Sequence, residues 1–457
     1  MPLSPPFLVS APGKVILFGE HAAVYGKPAI AAAVSLRSYL LVTENTTDRA
    51  AVALEFPDVG FRHAWPIASL PWAAVHEHNH NSAPPTELNQ ALATAIDRLL
   101  STPDIKTPTE RASALAFLYL FLSLCEPSTP GFTVAVRSTL PIGAGLGSSA
   151  SISVSLAAAF GLLSGRVEPP TPSSSSPSPS FSSSFIPENI ASIELIDAWA
   201  FLGERCIHGN PSGIDNAVAS HGGAVMFQRT QAGNPNLRES IRDFPPLRLL
   251  LVDSRQSRHT AVQVAAVADL VRDHPVVADA ILTAIHDLTK EAYELLLRPP
   301  EHAAAEEDKN DLENNNSSTA WAQRLRNLVR INHGLLVALG VSHPKLEIIR
   351  AAADELGIGQ TKLTGAGGGG CAITLVNDKV SHQSIDQLRN RLQSQGFVLF
   401  ETKLGGQGAG CLLPSQTAEF EDWEAKIFNS DNLLALSGKD DIETHVGVDS
   451  KLNWEFW

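Results

Sequence analysis

The chain has 457 residues, of which 44% are hydrophobic and 18% are charged. This length and composition are typical of a globular protein with an extensive core and two or three domains. The formal net charge of −14 argues against binding to nucleic acid or to an anionic membrane through bulk charge.

The first half of the chain alternates predicted strands and helices. Residues 7–21 contain two short apolar runs, and we expect two strands separated by a Pro-Gly turn that places Lys14 near a strand edge. Apolar runs predict further strands at residues 28–34, 39–43, 131–137 and 222–227, with a turn at 56–60. Apolar periodicity predicts helices at residues 87–100, 114–124, 150–163 and 188–206.

Two polar stretches interrupt this pattern. Residues 169–185 are dominated by serine and proline, a composition that cannot bury a core. We interpret them as a disordered insertion, because the segments on both sides carry phosphate-site chemistry; a linker between domains is the competing interpretation. Residues 301–318 are acidic and rich in asparagine, which predicts a second solvated insertion.

The second half begins with a predicted strand at residues 247–253. Helical patterns follow at residues 261–298, 320–339, 343–356 and 385–395. A glycine-rich turn at residues 362–370 leads into a strand, and another strand is predicted at 397–401. The acidic tail after Gln416 contains Trp454 and Trp457 and has no role that the sequence assigns.

The cysteines and the apolar runs favour a cytoplasmic protein. Cys125, Cys206, Cys371 and Cys411 are scattered without the paired spacing of a metal site, so we expect reduced thiols and no disulfides. The N-terminus lacks a basic region followed by an apolar core, so no secretory signal is expected. No apolar run reaches the length of a membrane span.

The stretch LPIGAGLGSSAS at residues 140–151 indicates a phosphate site. Glycines at alternate positions allow a tight turn and close approach to a ligand, and the following helix presents unpaired N–H groups at its start. The stretch is not a Walker A loop, since no Gly-Lys-Ser/Thr ends it, and its glycine spacing differs from the dinucleotide fingerprint. A flexible turn capped by serine is the alternative.

Three separated motifs together resemble the GHMP small-molecule kinases. They are Pro12-Gly13-Lys14 with Gly19-Glu20-His21, the glycine-rich loop at 140–151, and the turn at 362–370. Within that family, the stretch HGNPSGIDN at residues 208–216 is most similar to members that phosphorylate mevalonate. The resemblance covers most of residues 7–412 apart from the two polar insertions.

The resemblance implies a two-domain fold of the α/β (α+β) class. Residues 1–244 would form a nucleotide-binding domain like domain 2 of ribosomal protein S5, and residues 245–457 a ferredoxin-like domain that closes the site. It also implies transfer of the ATP γ-phosphoryl group to the primary hydroxyl of mevalonate with Mg²⁺ as cofactor. Mevalonate and ATP would be the ligands, without nucleic acid or membrane partners, and relatives are commonly homodimers.

The resemblance assigns catalytic and metal-binding roles to four residues. Asp215 would be the base that accepts the hydroxyl proton, and Lys14 would favour the ionised forms beside it. Ser149 and Glu204 would bind magnesium, which prefers oxygen ligands and keeps several waters. Each has a plainer interpretation: an Asx turn for Asp215, a solvated strand-end charge for Lys14, a helix cap for Ser149 and a surface carboxylate for Glu204.

The remaining site residues follow from the same resemblance. Glu20, His21, Arg258 and Thr364 are expected to bind the acceptor substrate; Arg258 follows a strand and could hold a carboxylate, or be a solvated loop arginine. The residues expected to bind ATP are Lys14, Asp58, Ser138, Gly143, Ala144, Gly145, Leu146, Gly147, Ser148 and Ser149. Relatives often carry asparagine where Asp58 stands, and aspartate cannot donate the amide hydrogen bond.

Three alternatives remain beside an ATP-dependent kinase for mevalonate. The first is a sister kinase for galactose, homoserine or phosphomevalonate. Sugar kinases share the Gly19-Glu20-His21 motif, whereas residues 208–216 and Arg258 favour a carboxylate-bearing diol. The diphosphomevalonate decarboxylase shares the fold, but Pro12-Gly13-Lys14 disfavours it. A catalytically inactive nucleotide sensor is disfavoured because the four catalytic and metal-binding candidates are all present.

Overall fold

The structure is a computed structural model, and the residues it describes are 2–75, 86–141, 143–170, 190–209, 211–230, 236–241, 247–299, 314–414, 421–450 and 452–457. The strands in this part of the chain are β1 (Phe7–Phe18), β2 (Ala29–Glu44), β3 (Ala51–Phe56), β4 (Phe61–Pro66), β5 (Phe132–Ser138), β6 (Ala224–Gln228), β7 (Leu237–Ile241), β8 (Leu247–Asp253), β9 (Gly359–Leu363), β10 (Cys371–Val376), β11 (Val398–Leu404), β12 (Gly410–Leu412) and β13 (Glu455–Phe456).

Helices alternate with these strands. In chain order they are α1 (Gln90–Leu99), α2 (Pro108–Leu124), α3 (Ser148–Ser164), α4 (Ile190–His208), α5 (Ile214–His221), α6 (Thr260–Asp273), α7 (Pro275–Leu297), α8 (Asn314–Ala338), α9 (Pro344–Glu355), α10 (His382–Gln393), α11 (Glu421–Ile427), α12 (Ser430–Ala435) and α13 (Gly438–Val446). Among the described residues, none of the helices combines the length and apolar character needed to cross a membrane.

One mixed sheet joins all the described strands. Its main path runs β13-β12-β1-β2-β11-β8-β10-β9, and β2 also pairs with β5 and β6. The neighbours are antiparallel except β3 and β5, which are parallel. Because Val34 of β2 pairs with Leu404 of β11, the sheet continues from the first half of the chain into the second. The predicted mixed α/β class is confirmed, while the domain boundary at 244/245 stays a prediction.

Side-chain alternation along β2 divides the core of the first half into two layers. Leu40 and Val42 face the layer that contains α1 to α4. Tyr39 and Leu41 face the opposite layer, formed by residues after position 420. Successive strand residues point to opposite faces, so one strand supports both layers. In this first layer α3 is apolar almost all round, which explains why it is buried.

The second half repeats this arrangement around β8. Leu249 and Leu251 pack against α7 and α8, whereas Leu250 and Val252 pack against α6, α9 and α10. Full burial of an aliphatic side chain of this size stabilises a fold by roughly 1.5–3 kcal/mol. The sheet therefore holds the β8–α6 junction and the β9–β10 turn at one edge of the core.

The tail, which the sequence left without a role, completes the outer layer of the first half. Trp454 lies 5.9 Å from Tyr39 between ring centroids, in an edge-on arrangement. Its indole nitrogen donates to the Val446 carbonyl, and Trp457 donates to the carbonyl of Glu168. Strand β13 adds to β12 at the edge of the sheet. The tail thus covers sheet surface that would otherwise expose apolar side chains.

Two predictions for the N-terminal strands are wrong. Residues 7–18 form one strand, because a register shift between Pro12 and Gly13 absorbs the proline within the pairing with β2. Lys14 is therefore in mid-strand and not at a strand edge. Residues 29–44 are also one strand; the polar segment between the predicted strands is paired, with Arg37 buried and donating to Ser10.

The turn predicted at 56–60 is confirmed, whereas the two predicted polar insertions lie mostly outside the described residues. The turn at 56–60 exists, but it joins β3 and β4 in a hairpin that apolar patterning did not indicate. The acidic segment 301–318 lies outside the described residues up to 313, and α8 already begins at position 314. The Ser/Pro insertion at 169–185 lies outside the described residues from 171 onward.

Candidate active site

The two glycine-rich turns meet at Arg258. A methyl group on Gly145 would overlap the Arg258 guanidinium, and one on Gly365 would fall 2.6 Å from Nη1 of the same side chain. Arg258 lies between β8 and α6, so its position depends on the sheet edge described above. The guanidinium could move away from a methyl group, but φ values of 81° at Gly145 and 80° at Gly365 would still strain any other residue there.

The loop at 143–147 has an alternating structure. Gly143, Gly145 and Gly147 have φ values of 77°, 81° and 72°, in the left-handed region that glycine enters at little cost. Ala144 and Leu146, which alternate with them, are buried in the core. The glycine backbone therefore faces the cavity while the apolar side chains anchor the loop.

Helix α3 begins directly after this loop. Its N-cap is Gly147, and no side chain caps its first turn. The first N–H groups of a helix carry a partial positive charge and lack intrahelical partners, which suits an anion. We call the loop and the start of α3 the phosphate cradle; its geometry suits an anion, and its binding of phosphate stays a prediction.

A lysine–carboxylate pair lies beside the cradle. Nζ of Lys14 is 3.2 Å from Oδ2 of Asp215, which stands in the first turn of α5. The Lys14 backbone N–H donates to the Leu146 carbonyl at 2.8 Å, which ties β1 to the loop. A lysine in this position can stabilise negative charge that develops near it.

A hydroxyl–carboxylate pair lies at the start of α3. Ser149 Oγ donates to Glu204 Oε2 at 3.2 Å, and Nε2 of His208 lies 3.2 Å from the same Oγ. Ser153 donates to the other oxygen of Glu204 at 3.5 Å. Burial raises the pKa of Glu204 to about 7, against the lowering effect of the Ser149 hydrogen bond.

The oxygen atoms of Ser149 and Glu204 fit the ligand preference of a magnesium ion. One hydroxyl and one carboxylate are oxygen ligands of the kind that Mg²⁺ prefers, and the ion takes its remaining ligands from water and phosphate. A carboxylate that is costly to ionise in its buried position gains most from a cation placed beside it. Among the described residues no three His, Cys, Asp or Glu side chains gather into a metal cage, and magnesium does not need one.

Both pairs open into one cavity of about 640 Å³. The predicted site residues that line it are Lys14, Gly143, Gly145, Gly147, Ser148, Ser149, Glu204, Asp215 and Arg258. Apolar side chains line another part of it, among them Phe56, Val59 and Ile152. The cavity therefore combines a polar side, formed by the glycine loop and the two pairs, with an apolar wall.

The predicted acceptor-binding residues Glu20, His21 and Thr364 lie beside this cavity and are not among its lining residues. Thr364 Oγ1 accepts from the Ile16 N–H at 3.1 Å, and His21 Nε2 is 2.9 Å from the Ala366 carbonyl. Glu20 is buried in an ion pair with Lys362 and also accepts from Asn332 at 3.0 Å. Glu20 thus holds the 19–26 loop against the second half of the chain.

The predicted nucleotide residues Asp58 and Ser138 contact each other. Asp58 accepts from the Ser138 N–H at 2.9 Å and pairs with Arg137 at 3.2 Å. Burial raises the pKa of Asp58, opposed by Arg137. Neither residue lines the cavity, but the neighbours of Asp58, Phe56 and Val59, do.

Sequence reasoning missed two polar residues of this site. His208 is four residues after Glu204 on α4 and contacts Ser149. Asn216 is 1% exposed, and within the described part of the chain neither of its side-chain polar atoms has a hydrogen-bond partner. Both flank Asp215 in the HGNPSGIDN stretch, and the helical spacing from Glu204 would have indicated His208.

Comparison with known proteins places this geometry in a family. The model of the GHMP kinases N terminal domain matches residues 112–170, and that of the GHMP kinases C terminal matches residues 322–397. The mevalonate kinase of Gibberella zeae is 44% identical over 100% of this chain and 88% of its own length. The mevalonate kinase of Candida albicans is 44% identical over 99% of both chains.

A solved structure supports the fold. The L. major mevalonate kinase in complex with R-mevalonate matches 89% of this chain and 100% of its own, with a TM-score of 0.57 and 21% sequence identity. This likeness shows the common fold, and the curated relatives show the family. The chain therefore belongs to the GHMP kinases and, among them, to the mevalonate kinases.

Proposed function

We propose that the cavity around Lys14 and Asp215 is where this chain transfers the γ-phosphoryl group of ATP to the 5-hydroxyl of mevalonate. The products would be 5-phosphomevalonate and ADP, in an early step of isoprenoid and sterol synthesis. The observation that carries the proposal is the 3.2 Å Lys14–Asp215 pair, which opens into the same cavity as the phosphate cradle. Phosphoryl transfer requires mainly positioning and charge stabilisation, and this arrangement offers both.

Asp215 accepts the proton of the mevalonate hydroxyl. Its carboxylate is about one-third exposed to the cavity, at 32%, so a substrate oxygen can reach it. Lys14 stabilises the resulting alkoxide character and the charge on the transferred group. A general base contributes typically 10²–10⁴-fold to the rate.

The loop and α3 hold the triphosphate. The N–H groups of residues 143–149 donate to phosphate oxygens, with the glycines allowing close approach. Ser149 and Glu204 hold the Mg²⁺ ion. When bound there, magnesium would neutralise charge on the phosphate oxygens.

The apolar wall accommodates the nucleoside. Phe56 and Val59 lie on either side of Asp58 in the chain and line the cavity, so the base can lie against them. The hydrogen bond from the Ser138 N–H to Asp58 holds this turn against β5. Asp58 acts there as an acceptor, since a carboxylate has no hydrogen to donate. An aromatic and aliphatic surface of this kind suits a planar base.

Arg258 binds the mevalonate carboxylate. Its guanidinium lies between the two glycine turns and lines the cavity, where a planar fork can hold a carboxylate in a bidentate manner. His21 and Thr364 complete the acceptor side, held by Ala366 and Ile16 respectively. Glu20 supports them from the buried Lys362 pair.

The proposal includes a cytoplasmic homodimer. All four cysteines are free, which agrees with a reducing compartment. The homodimer follows from the family resemblance alone, and the molar mass in solution tests it: a mass near 98 kDa is expected, about twice the 48.8 kDa chain.

A substrate panel with ATP and Mg²⁺ tests the reaction. Mevalonate, galactose, homoserine, phosphomevalonate and diphosphomevalonate are compared in an assay coupled to ADP formation. Mevalonate should turn over fastest. Of these compounds, it alone carries a carboxylate, a second hydroxyl and a primary hydroxyl that is not phosphorylated. Faster turnover of galactose, or release of carbon dioxide from diphosphomevalonate, would contradict the proposal.

A further inference from the structure

His208 contacts the proposed magnesium ligands from the end of α4. It lies four residues after Glu204, and residues at that spacing share one helix face. Its Nε2 is 3.2 Å from Ser149 Oγ and 3.9 Å from Glu204 Oε2. The imidazole is about half exposed and lines the cavity, so it remains accessible beside the phosphate cradle.

The hydrogen-bonding capacity of Ser149 determines what His208 can do. A serine hydroxyl has one hydrogen and two lone pairs. In the structure that hydrogen is donated to Glu204, so the neighbouring Nε2 of His208 faces a lone pair of Oγ and acts as donor. A cation held by both Ser149 and Glu204 needs the oxygen lone pairs of both side chains. A cation bound between Ser149 Oγ and Glu204 Oε2 would take the place of the hydrogen that now joins them, so this hydrogen would turn to another acceptor.

His208 is the acceptor within reach. A neutral imidazole with its hydrogen on Nδ1 presents a lone pair at Nε2, so a change of tautomer converts the donor into an acceptor. Nε2 of His208 already lies 3.2 Å from Ser149 Oγ, so the hydroxyl hydrogen can turn to it without movement of the histidine. Residues that hydrogen-bond a metal ligand typically alter metal affinity by 10–100-fold when replaced.

We propose that His208 is a positioning residue for the divalent cation, accepting the Ser149 hydroxyl hydrogen bond when Ser149 and Glu204 bind the ion. The inference rests on the proposed function, since it concerns the magnesium of that site. It gives His208 an effect on cation affinity without direct contact with the cation, ATP or mevalonate. The ligand whose affinity depends on His208 is a divalent metal ion in complex with a nucleoside triphosphate.

The test measures metal affinity in the full chain and does not depend on turnover. Mn²⁺ replaces Mg²⁺, β,γ-methylene-ATP replaces ATP, and free Mn²⁺ is followed by electron paramagnetic resonance. His208→Phe keeps a planar ring without an acceptor, and His208→Gln restores an acceptor oxygen at similar reach. His382→Phe, at an exposed histidine of α10 outside the cavity lining, is the matched control.

His208→Phe should weaken Mn²⁺ binding about 10-fold or more, while His208→Gln should stay within about 3-fold of the unchanged chain. His382→Phe should bind like the unchanged chain, and all variants should melt at similar temperatures. Wild-type affinity in His208→Phe overturns the inference, as does a Gln variant as weak as Phe. A nitrogen bound directly to Mn²⁺, seen as ¹⁴N hyperfine coupling, also overturns it.

The proposed function fails in a different way. If mevalonate is not phosphorylated in the substrate panel but the Mn²⁺ affinities follow the expected order, the acceptor substrate is wrong and the role of His208 holds. If mevalonate is phosphorylated and the affinities are equal, only the role of His208 is lost.

Discussion

The molecule contains two lysine–carboxylate pairs near its glycine-rich turns, and they differ in exposure. Lys14 and Asp215 have 9% and 32% of their side chains exposed and open into the cavity. Lys362 and Glu20 have 0% and 1% exposed and are sealed between the two halves of the chain. Both are ion pairs of a lysine with a carboxylate, yet only the first lines the cavity.

Burial changes the physical role of such a pair. In the Lys362–Glu20 pair, burial lowers the pKa of the lysine and the facing glutamate opposes this effect. The charges are satisfied by each other and by Asn332, so they serve to join the 19–26 loop to β9. Lys14 and Asp215 line the cavity, so both can still form hydrogen bonds or ion pairs with a ligand. A lysine beside a carboxylate therefore indicates a catalytic role only when the exposure of both side chains is known.

Loss of the buried lysine should produce the largest change in stability. In Lys362→Met, Glu20 remains as an uncompensated buried charge, and the free energy of unfolding should fall by about 3–5 kcal/mol. Chemical denaturation measures this value. The double variant with Glu20→Gln should recover part of the loss, because no buried charge then remains unpaired.

The matched control is Lys14→Met in the pair that opens into the cavity. Its free energy of unfolding should change by less than about 1 kcal/mol, since Asp215 can be solvated. Its turnover should fall about 10²–10³-fold, as expected when a charge-stabilising group is lost. Equal stability losses in the two methionine variants would remove the distinction between the pairs.

The Asp197–Arg238 pair extends the comparison, because its contribution to the free energy of unfolding depends on pH. Asp197 is paired at 3.1 Å with Arg238, whose side chain is 36% exposed, yet burial raises the pKa of Asp197 to about 6. The folded state therefore binds more protons than the unfolded state between about pH 4 and 6, and this carboxyl makes stability fall as pH rises through that window. The shift corresponds to about 3 kcal/mol.

Asp197→Asn should remove this contribution. The difference in unfolding free energy between variant and unchanged chain should move by about 3 kcal/mol in favour of the variant as pH rises from 4 to 7. Urea denaturation at several pH values measures it, and other titrating groups cancel in the difference. A constant difference across the window would show that Arg238 fully offsets the effect of burial on Asp197 and would contradict the raised pKa.

Local features of the site were predictable from the sequence. Alternate glycines before a helix predict a loop with left-handed backbone, because glycine enters that region at little cost. Gly143, Gly145 and Gly147 do adopt positive φ. The closeness of Lys14 to Asp215 and of Ser149 to Glu204 could not be derived from spacing, since the partners are far apart in the chain. The family resemblance supplied it, and the structure brings the members of each pair within 3.2 Å.

Features that depend on distant partners were not predictable. Glu20 was expected to bind the substrate, but its surroundings are set by Lys362 and Asn332, which lie more than 300 positions away in the chain. The tail gave weak local signals because its helices are short, and only Tyr39 and Leu41 on the sheet explain what it covers. The single strand β2 was missed because Arg37 looks like a strand end until its buried acceptors are known.

The central claim is that Asp215 carries the proton transfer. Asp215→Asn keeps the size of the side chain and removes its charge, and the single-turnover rate with ATP, Mg²⁺ and mevalonate is the measurement. The account predicts a fall of about 10²–10⁴-fold with nearly unchanged affinity for ATP. A fall of less than about 10-fold with the same substrates would contradict it.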